Sequence, residues 1–466
     1  MKYISTRGAA PKLSFEEAVL AGLASDGGLY VPENIPALSM AEITAMQSLN
    51  YTELAYNIIS RFTGKTIADE ALKNIINGAY KTFRHSAIAP LKQLNSNTYL
   101  LELFHGETLA FKDFALQFLG RLLDHILEKR QQKATVIGAT SGDTGSAAIA
   151  GLRGHKNMDI FIMYPHGRVS DVQRLQMTTV LDANVHNIAL GGSFDDCQDI
   201  VKTLFADVDF RTKNNLTAVN SINWARILAQ VVYYFYAALR LGAPARAISF
   251  CVPTGNFGDI YAGYIAKKMG LPIDQLIIAT NRNDILTRTL TTGSYGMADV
   301  EPSLSPSMDI QISSNFERLL FDLYDKDGAK IAEIMKDFRT NKKFALAPLA
   351  LSRLRAEFAA ASASDAETKT TIKDCYDATG EVLDPHTAVG LYAAGKARKN
   401  TDAPLVVLAT AHPAKFPEAV QTACGIHPEL PPHLADLFTR KEKFIRLAND
   451  VKPIKEFIEK NTVVIK

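Results

Sequence analysis

Short apolar runs rich in Val and Ile alternate along the chain with stretches of helical pattern: ATVIGAT then SAAIAGLRG, DIFIMYP, VHNIAL, AISFCVPTG then YAGYIAKKMG, QLIIAT, and late in the chain LVVLATA. A strand that is apolar throughout, with no polar face, is buried on both sides. Parallel sheets are built this way because their crossover helices cover both faces. From Tyr99 onward the fold class is therefore α/β. The 466 residues, at roughly 150 per domain, allow about three domains, or a double domain with additions.

Residues 1–95 precede this alternation. They carry amphipathic patterns over Ser14–Leu23 and Tyr51–Phe62 and end at Ala89-Pro90, where proline disfavours a helical residue before it. A small helical N-terminal domain is expected. A Gly-, Ser- and Pro-rich run from Thr291 to Ser307 interrupts the strands, and Ser-Ala-Ser-Asp near 364 marks an exposed turn, so an insertion with its own helices is expected over about 283–370. The stretch from Pro428 reads as a packed surface helix.

Charge excludes one class of partner. Lys and Arg total 51 against 49 Asp and Glu, a net charge of +2, which leaves no field to draw in nucleic acid or an anionic membrane. Cys197, Cys251, Cys375 and Cys424 form no CxxC pair, and no HxxxH or His-Cys pair is present, so neither a disulfide framework nor a metal site is indicated. Glu16 and Glu17 fall where a secretory signal needs its apolar core. The longest apolar stretch, between Arg226 and Arg240, is too short for a bilayer. A cytoplasmic location is expected.

Three words carry chemistry. Ligands of open parallel sheets bind beyond the carboxyl ends of strands, where helix N-termini present unpaired N–H groups. Gly138-Ala-Thr-Ser-Gly-Asp-Thr-Gly145 lies between a strand and a helix. Its glycines let backbone approach an anion, and Thr140, Ser141 and Thr144 add hydroxyls; it lacks the lysine of a Walker loop, and a plain strand-to-helix turn explains it equally well. Pro253-Thr-Gly-Asn-Phe-Gly-Asp259 has the same setting and could cradle a phosphate, or could be a turn capped by Asp259. Two such words favour a phosphorylated ligand. Lys112, framed by Phe111 and Phe114, stands before an apolar helix. Such surroundings free an amine to act as nucleophile or base, although pairing with Asp113 or Glu107 is the ordinary alternative.

In order, MKYISTRG, LAFKDFALQFLG, GATSGDTGSAA, NSINWARI, PTGNFGD, SPSMDIQISSNFERLLF, DPHTAVG and ATAHPAKF resemble the threonine synthase family of fold type II pyridoxal-phosphate enzymes, in the branch with an extra N-terminal domain. The resemblance runs nearly the whole length. It implies two α/β lobes, a large cofactor-binding domain from 96–130 and 215–466 and a small one from 131–214. It implies pyridoxal 5'-phosphate as cofactor, O-phospho-L-homoserine and water as substrates, and threonine and phosphate as products.

By position, Lys112 matches the lysine that bonds the cofactor, and Gly255, Asn256, Phe257, Gly258 and Asp259 match the loop on its phosphate. Thr410 matches the hydroxyl residue facing the pyridine nitrogen. The loop from Thr140 through Ser141 and Asp143 to Thr144 matches the segment that receives the substrate carboxylate; Asp143 stands where many relatives of the wider superfamily carry Asn. The substrate phosphate needs a cation, for which Arg226 and Arg318, then Lys415, are candidates. His386 and His412, each beside a proline, are expected to cap or pack, and Trp224 and Tyr233–Tyr236 to pack in a core. A phospholyase releasing 2-oxobutyrate, or a non-catalytic phosphate-ligand binding protein, is the competing reading.

Overall fold

The Val- and Ile-rich runs form strands, and these strands fall into two sheets. The computed structural model describes residues 1–218 and 221–464. The larger sheet has the order Phe358–Ser362, Ile273–Thr280, Ile248–Pro253, Leu405–Ala409, Thr98–Glu102, Leu91–Asn95. All neighbours are parallel except the last pair. Its middle strands Ile248–Pro253 and Leu405–Ala409 are buried at every residue, as strands covered on both faces must be. In register, Ile277 faces Cys251, Cys251 faces Val407, and Val407 faces Leu100. The smaller sheet, Ile445–Leu447, Val185–Leu190, Met158–Pro165, Ala134–Ala139, Leu216–Ala218, is parallel throughout.

The described chain divides into two compact units. The larger holds Met1–Asn77, Phe83–His105 and Ser221–Pro428; the smaller holds Gly78–Thr82, the described part of Gly106–Asn220, and that of Glu429–Lys466. This grouping differs from the expected lobes at several segments, of which Gly78–Thr82 and Leu216–Ala218 are short and two are long. The helix Lys112–Arg130, expected in the large domain, belongs to the smaller unit because it packs backbone to backbone on the helix Asp143–Leu152. A Cβ on Gly120 would lie 2.0 Å from the Gly151 carbonyl oxygen, and one on Gly151 would lie 2.4 Å from that of Leu116. The C-terminal stretch is also more than a surface helix. Ile445–Leu447 extends the smaller sheet, and the helix Val451–Asn461 buries Ile454 and Ile458 in the core that holds Phe161 and Ile188.

The N-terminal region is helical with one addition. Helices Phe15–Ala21, Met40–Ala45 and Tyr51–Thr63 each begin with a capping box, Ser14 with Glu17, Ser39 with Glu42 and Asn50 with Glu53, which satisfies end N–H groups on both partners. The addition is a pair of antiparallel strands, Tyr3–Ser5 and Tyr30–Pro32. The insertion carries helices Ile285–Thr292, Phe316–Leu323, Gly328–Asn341 and Pro348–Glu357 and a strand pair, Ser294–Gly296 with Lys343–Ala345. It closes earlier than 370, because Phe358–Ser362 is already the edge strand of the larger sheet. The apolar run from Trp224 forms the helix Trp224–Arg240, buried along nearly all its length. Among the described residues no helix is long and apolar enough to cross a membrane.

Candidate active site

The residues singled out in the sequence fall into two groups, one in each unit. In the smaller unit Lys112 opens its helix and is 9% exposed, with its Nζ 4.8 Å from the centroid of the Phe111 ring and 3.3 Å from Asp143 Oδ2. Its expected ordinary partners are engaged elsewhere: Asp113 accepts from the Thr108 N–H and hydroxyl, and Glu107 pairs with Arg153. Asp143 begins the helix Asp143–Leu152, is buried, and accepts from Gln173 Nε2 at 2.8 Å. The loop before it is organised from within. The Thr140 hydroxyl accepts the N–H groups of Gly142 and Gly145, at 2.9 and 2.8 Å, and Gly142 has φ 141°, which a side chain would strain. Ser141 is exposed and Thr144 half-buried, so their hydroxyls stay accessible at a helix N-terminus.

In the larger unit the strand Ile248–Pro253 runs into Thr254–Phe257 and then the helix Gly258–Lys268. Here the expected cap is corrected: Asp259 lies inside the first turn, and Phe257 occupies the capping position without a side-chain cap bond. The Asp259 carboxylate instead accepts from the hydroxyls of Tyr233, at 2.6 Å, and Tyr234, at 2.9 Å. Burial pushes both phenols up, with the nearby Asp259 charge adding to it, so they remain donors. Phe257 sits in the left-handed region at φ 63°, its ring packed edge-on to Phe316 and tilted against Phe358. The loop is close-fitted on its far side. A Cβ on Gly255 would come 3.0 Å from the Ser307 carbonyl oxygen, and one on Gly258 would come 3.2 Å from Asn315 Nδ2 and 3.3 Å from Ile227 Cδ1. Thr410, 5% exposed, follows the neighbouring parallel strand Leu405–Ala409, so it leaves the same edge of the sheet as Gly255.

The two candidate arginines differ sharply. Arg318 is 0% exposed and lies over the Trp224 ring, with its Nε and Nη2 donating to the Tyr30 carbonyl at 3.2 and 3.0 Å, Nη2 also to the Ile222 carbonyl, and Nη1 to Asn315 Oδ1. Arg226 is 4% exposed, yet its Nε and Nη1 have no hydrogen-bond partner among the described residues. Burial lowers the pKa of each to about 10. A buried guanidinium with unmet donors is costly unless an anion completes it. Asn220, which opens the same sequence word as Arg226, lies outside the described residues. Lys415 is fully buried in a short 3₁₀ turn.

The histidines cap and pack. His412 Nδ1 accepts from the Ala414 N–H, and its ring meets Phe104 edge-on; burial and then His105 drive its pKa down to about 4. His386 pairs with Asp384 through Nδ1 and accepts from the Ser307 N–H through Nε2 at 3.3 Å. Trp224 and Tyr233–Tyr236 are core residues. One group was missed: Ser313 Oγ donates to the Gly255 carbonyl at 2.7 Å, Ser314 Oγ to Asn256 Oδ1 at 3.4 Å, and Asn315 donates twice to the Asn256 carbonyl. Their only signal was the word SPSMDIQISSNFER.

Residues 2–80 match the family "threonine synthase N terminus", 81–337 the family "pyridoxal-phosphate dependent enzyme", and 387–458 the family "threonine synthase, C-terminal". The chain is 56% identical over 462 residues to a threonine synthase of Pseudomonas aeruginosa, with 99% of this chain and 98% of that one covered. It is similar to the pyridoxal phosphate-bound threonine synthase structure from Brucella melitensis, with TM-score 0.97, 52% identity and 99% of each chain covered. The yeast threonine synthase structure gives TM-score 0.93 and 44% identity over 99% of this chain and 98% of that one. The chemistry of each unit suits such a cofactor: the smaller unit offers a buried amine at Lys112, and the larger a strand-to-helix turn whose Gly255 and Gly258 are closely approached by neighbouring atoms.

Proposed function

The chain belongs to the threonine synthase family, and on that premise we propose how its residues divide the conversion of O-phospho-L-homoserine and water into threonine and phosphate. Pyridoxal phosphate, when bound, supplies the electron sink for carbanions at the substrate. The rest falls to the chain. The turn Gly255–Asp259 holds the cofactor phosphate by backbone N–H groups at the start of its helix, and Thr410 offers a hydroxyl, not a carboxylate, to the ring nitrogen. The loop from Thr140 through Ser141 and Asp143 to Thr144 receives the substrate α-carboxylate at a second helix N-terminus. Lys112, its amine set between the Phe111 ring and the Asp143 carboxylate, carries protons at Cα and Cβ. Asp143, 3.3 Å away, orients it.

Arg226 takes the substrate phosphate. The observation that carries this is its guanidinium, 4% exposed with Nε and Nη1 unpartnered among the described residues, where Arg318 has its donors spent on backbone carbonyls and Asn315. An anionic leaving group meets that unfilled need, and the pairing strengthens as charge develops on the departing phosphate. The net charge of +2 favours small anions held by local groups over a polyanion, and four unpaired cysteines accord with a cytoplasmic enzyme. Incubation of the holoenzyme with phosphohomoserine tests the reading: threonine and phosphate form in equal amounts. Release of 2-oxobutyrate in place of threonine overturns it in favour of a phospholyase.

A further inference from the structure

The N-terminal addition reaches the phosphate turn within the larger unit through two sets of polar contacts, one ending on Glu317 and one starting from Arg318, which adjoin in the helix Phe316–Leu323. Arg7 grips Glu317 with a two-point fork, Nε to Oε1 at 3.0 Å and Nη2 to Oε2 at 2.9 Å, and the Thr6 hydroxyl adds a third bond at 2.6 Å. Glu317 is 5% exposed. Next to it in the helix, Arg318 donates to the Tyr30 carbonyl of the N-terminal strand pair and to Asn315 Oδ1. That bond fixes which way the Asn315 amide faces. Its Nδ2 therefore meets the Asn256 carbonyl at 3.0 Å and the Ser221 carbonyl at 3.1 Å, while the Asn315 backbone N–H reaches the same Asn256 carbonyl at 3.0 Å.

A peptide unit is planar and trans, so its carbonyl and the following N–H point in opposite directions. Two donors on the Asn256 carbonyl consequently aim the Phe257 N–H away from Asn315. They also hold Phe257 at φ 63°, a conformation that an aromatic residue leaves readily unless its surroundings forbid it. We propose that the N-terminal addition is a brace for the cofactor-phosphate turn, with Arg7 and Glu317 as positioning residues that act through Arg318 and Asn315 on the Asn256–Phe257 peptide. This rests on the reading that Gly255–Asp259 holds the cofactor phosphate.

The test follows bound cofactor by absorbance while holoenzyme is dialysed against buffer with inorganic phosphate. Arg7→Ala is expected to speed loss of pyridoxal phosphate by about tenfold, the size of coupling found within one hydrogen-bond network. In an Asn315→Ala background Arg7→Ala should add nothing further. Retention of pyridoxal, which lacks the phosphate, should be unchanged by Arg7→Ala, whereas general loosening of the fold would weaken both. Loss at the wild-type rate, independent effects in the double variant, or equal weakening of pyridoxal overturns the brace. If Arg7→Ala does not fold, Arg7→Lys, which keeps one of the two fork contacts, decides by a smaller loss in the same direction. Gly255→Val separates the two readings. If it leaves cofactor retention untouched, the turn itself is misassigned and the brace falls with it; if it weakens retention while Arg7→Ala does not, only the brace is lost.

Discussion

The two glycine-bearing turns have nearly the same layout, strand then loop then helix, yet they are held in opposite ways. In the turn at Thr140–Thr144 the support is local. Thr140 gathers two N–H groups of its own loop, Gly142 takes the conformation that glycine tolerates, and Gln173 steadies Asp143 from 30 residues away. In the turn at Gly255–Gly258 the left-handed position is filled by Phe257, and the contacts that hold it come from Ser313, Ser314, Asn315, Phe316 and Phe358. A turn that stabilises itself can be recognised by its own residues; a turn held from outside is only as stable as elements far along the chain. The insertion is therefore part of the second turn's structure.

The largest effect tests the self-contained side. Lys112→Ala should abolish turnover and the absorbance of lysine-bound cofactor, because no other described lysine in the smaller unit opens a helix in this setting; retained covalent absorbance would remove Lys112 from the site. Next, Arg226→Ala should raise KM for phosphohomoserine by about 10- to 100-fold, the worth of a charged hydrogen-bonding pair. Arg318→Ala should instead lower the unfolding free energy by about 2–4 kcal/mol, since it leaves the Tyr30 and Ile222 carbonyls without their donor. Steady-state kinetics and denaturant titration on both variants tell them apart, and a KM effect confined to Arg318→Ala would reverse the assignment.

A direct comparison of the turns comes third. Phe257→Ala removes a ring packed between Phe316 and Phe358 and should cost about 3 kcal/mol or more. Thr140→Val removes an acceptor shared by two N–H groups and should cost about 1–2 kcal/mol. If Thr140→Val proves the more damaging by urea unfolding, local support is the stronger and the contrast is inverted. The last test is a pH dependence at His412. Burial depresses its folded pKa to about 4, below an unfolded value near 6.5, so between these values the unfolded chain binds more protons. Stability then falls as pH drops from about 6.5 to about 4 and is level outside that window. In His412→Asn this part of the acid loss should vanish from the stability–pH curve.

Much of this was legible in the sequence. The strands could be read because their apolar runs lack a polar face, and the Thr140–Thr144 loop and Lys112 stand out as words of their own. Asp143, 31 positions from Lys112, is brought beside it only by the fold. The support of the Gly255 turn could not be read, since Asn315 bonds Asn256 across 59 positions. Nor could Arg226 be told from Arg318, which stand in equally distinctive words. What separates them is the Tyr30 carbonyl, 288 positions from Arg318, which accepts from one guanidinium, whereas Nε and Nη1 of the other meet no partner among the described residues. The C-terminal strand Ile445–Leu447 was hidden for a different reason: three half-exposed or exposed residues carry no periodicity to detect.

The glycine pair between the Lys112 and Asp143 helices sets a dimension. With a Cβ on Gly120 only 2.0 Å from the Gly151 oxygen, a single methyl group there would wedge the helices apart, and Lys112 lies eight residues along the same helix, about 12 Å from the wedge. The gap between the lysine amine and Asp143 Oδ2 is 3.3 Å, so a separation of one ångström would be a large fraction of it. Two absent side chains thus act as a spacer of zero thickness, and the reach of the amine is gauged at a point in the helix packing that no reactant touches.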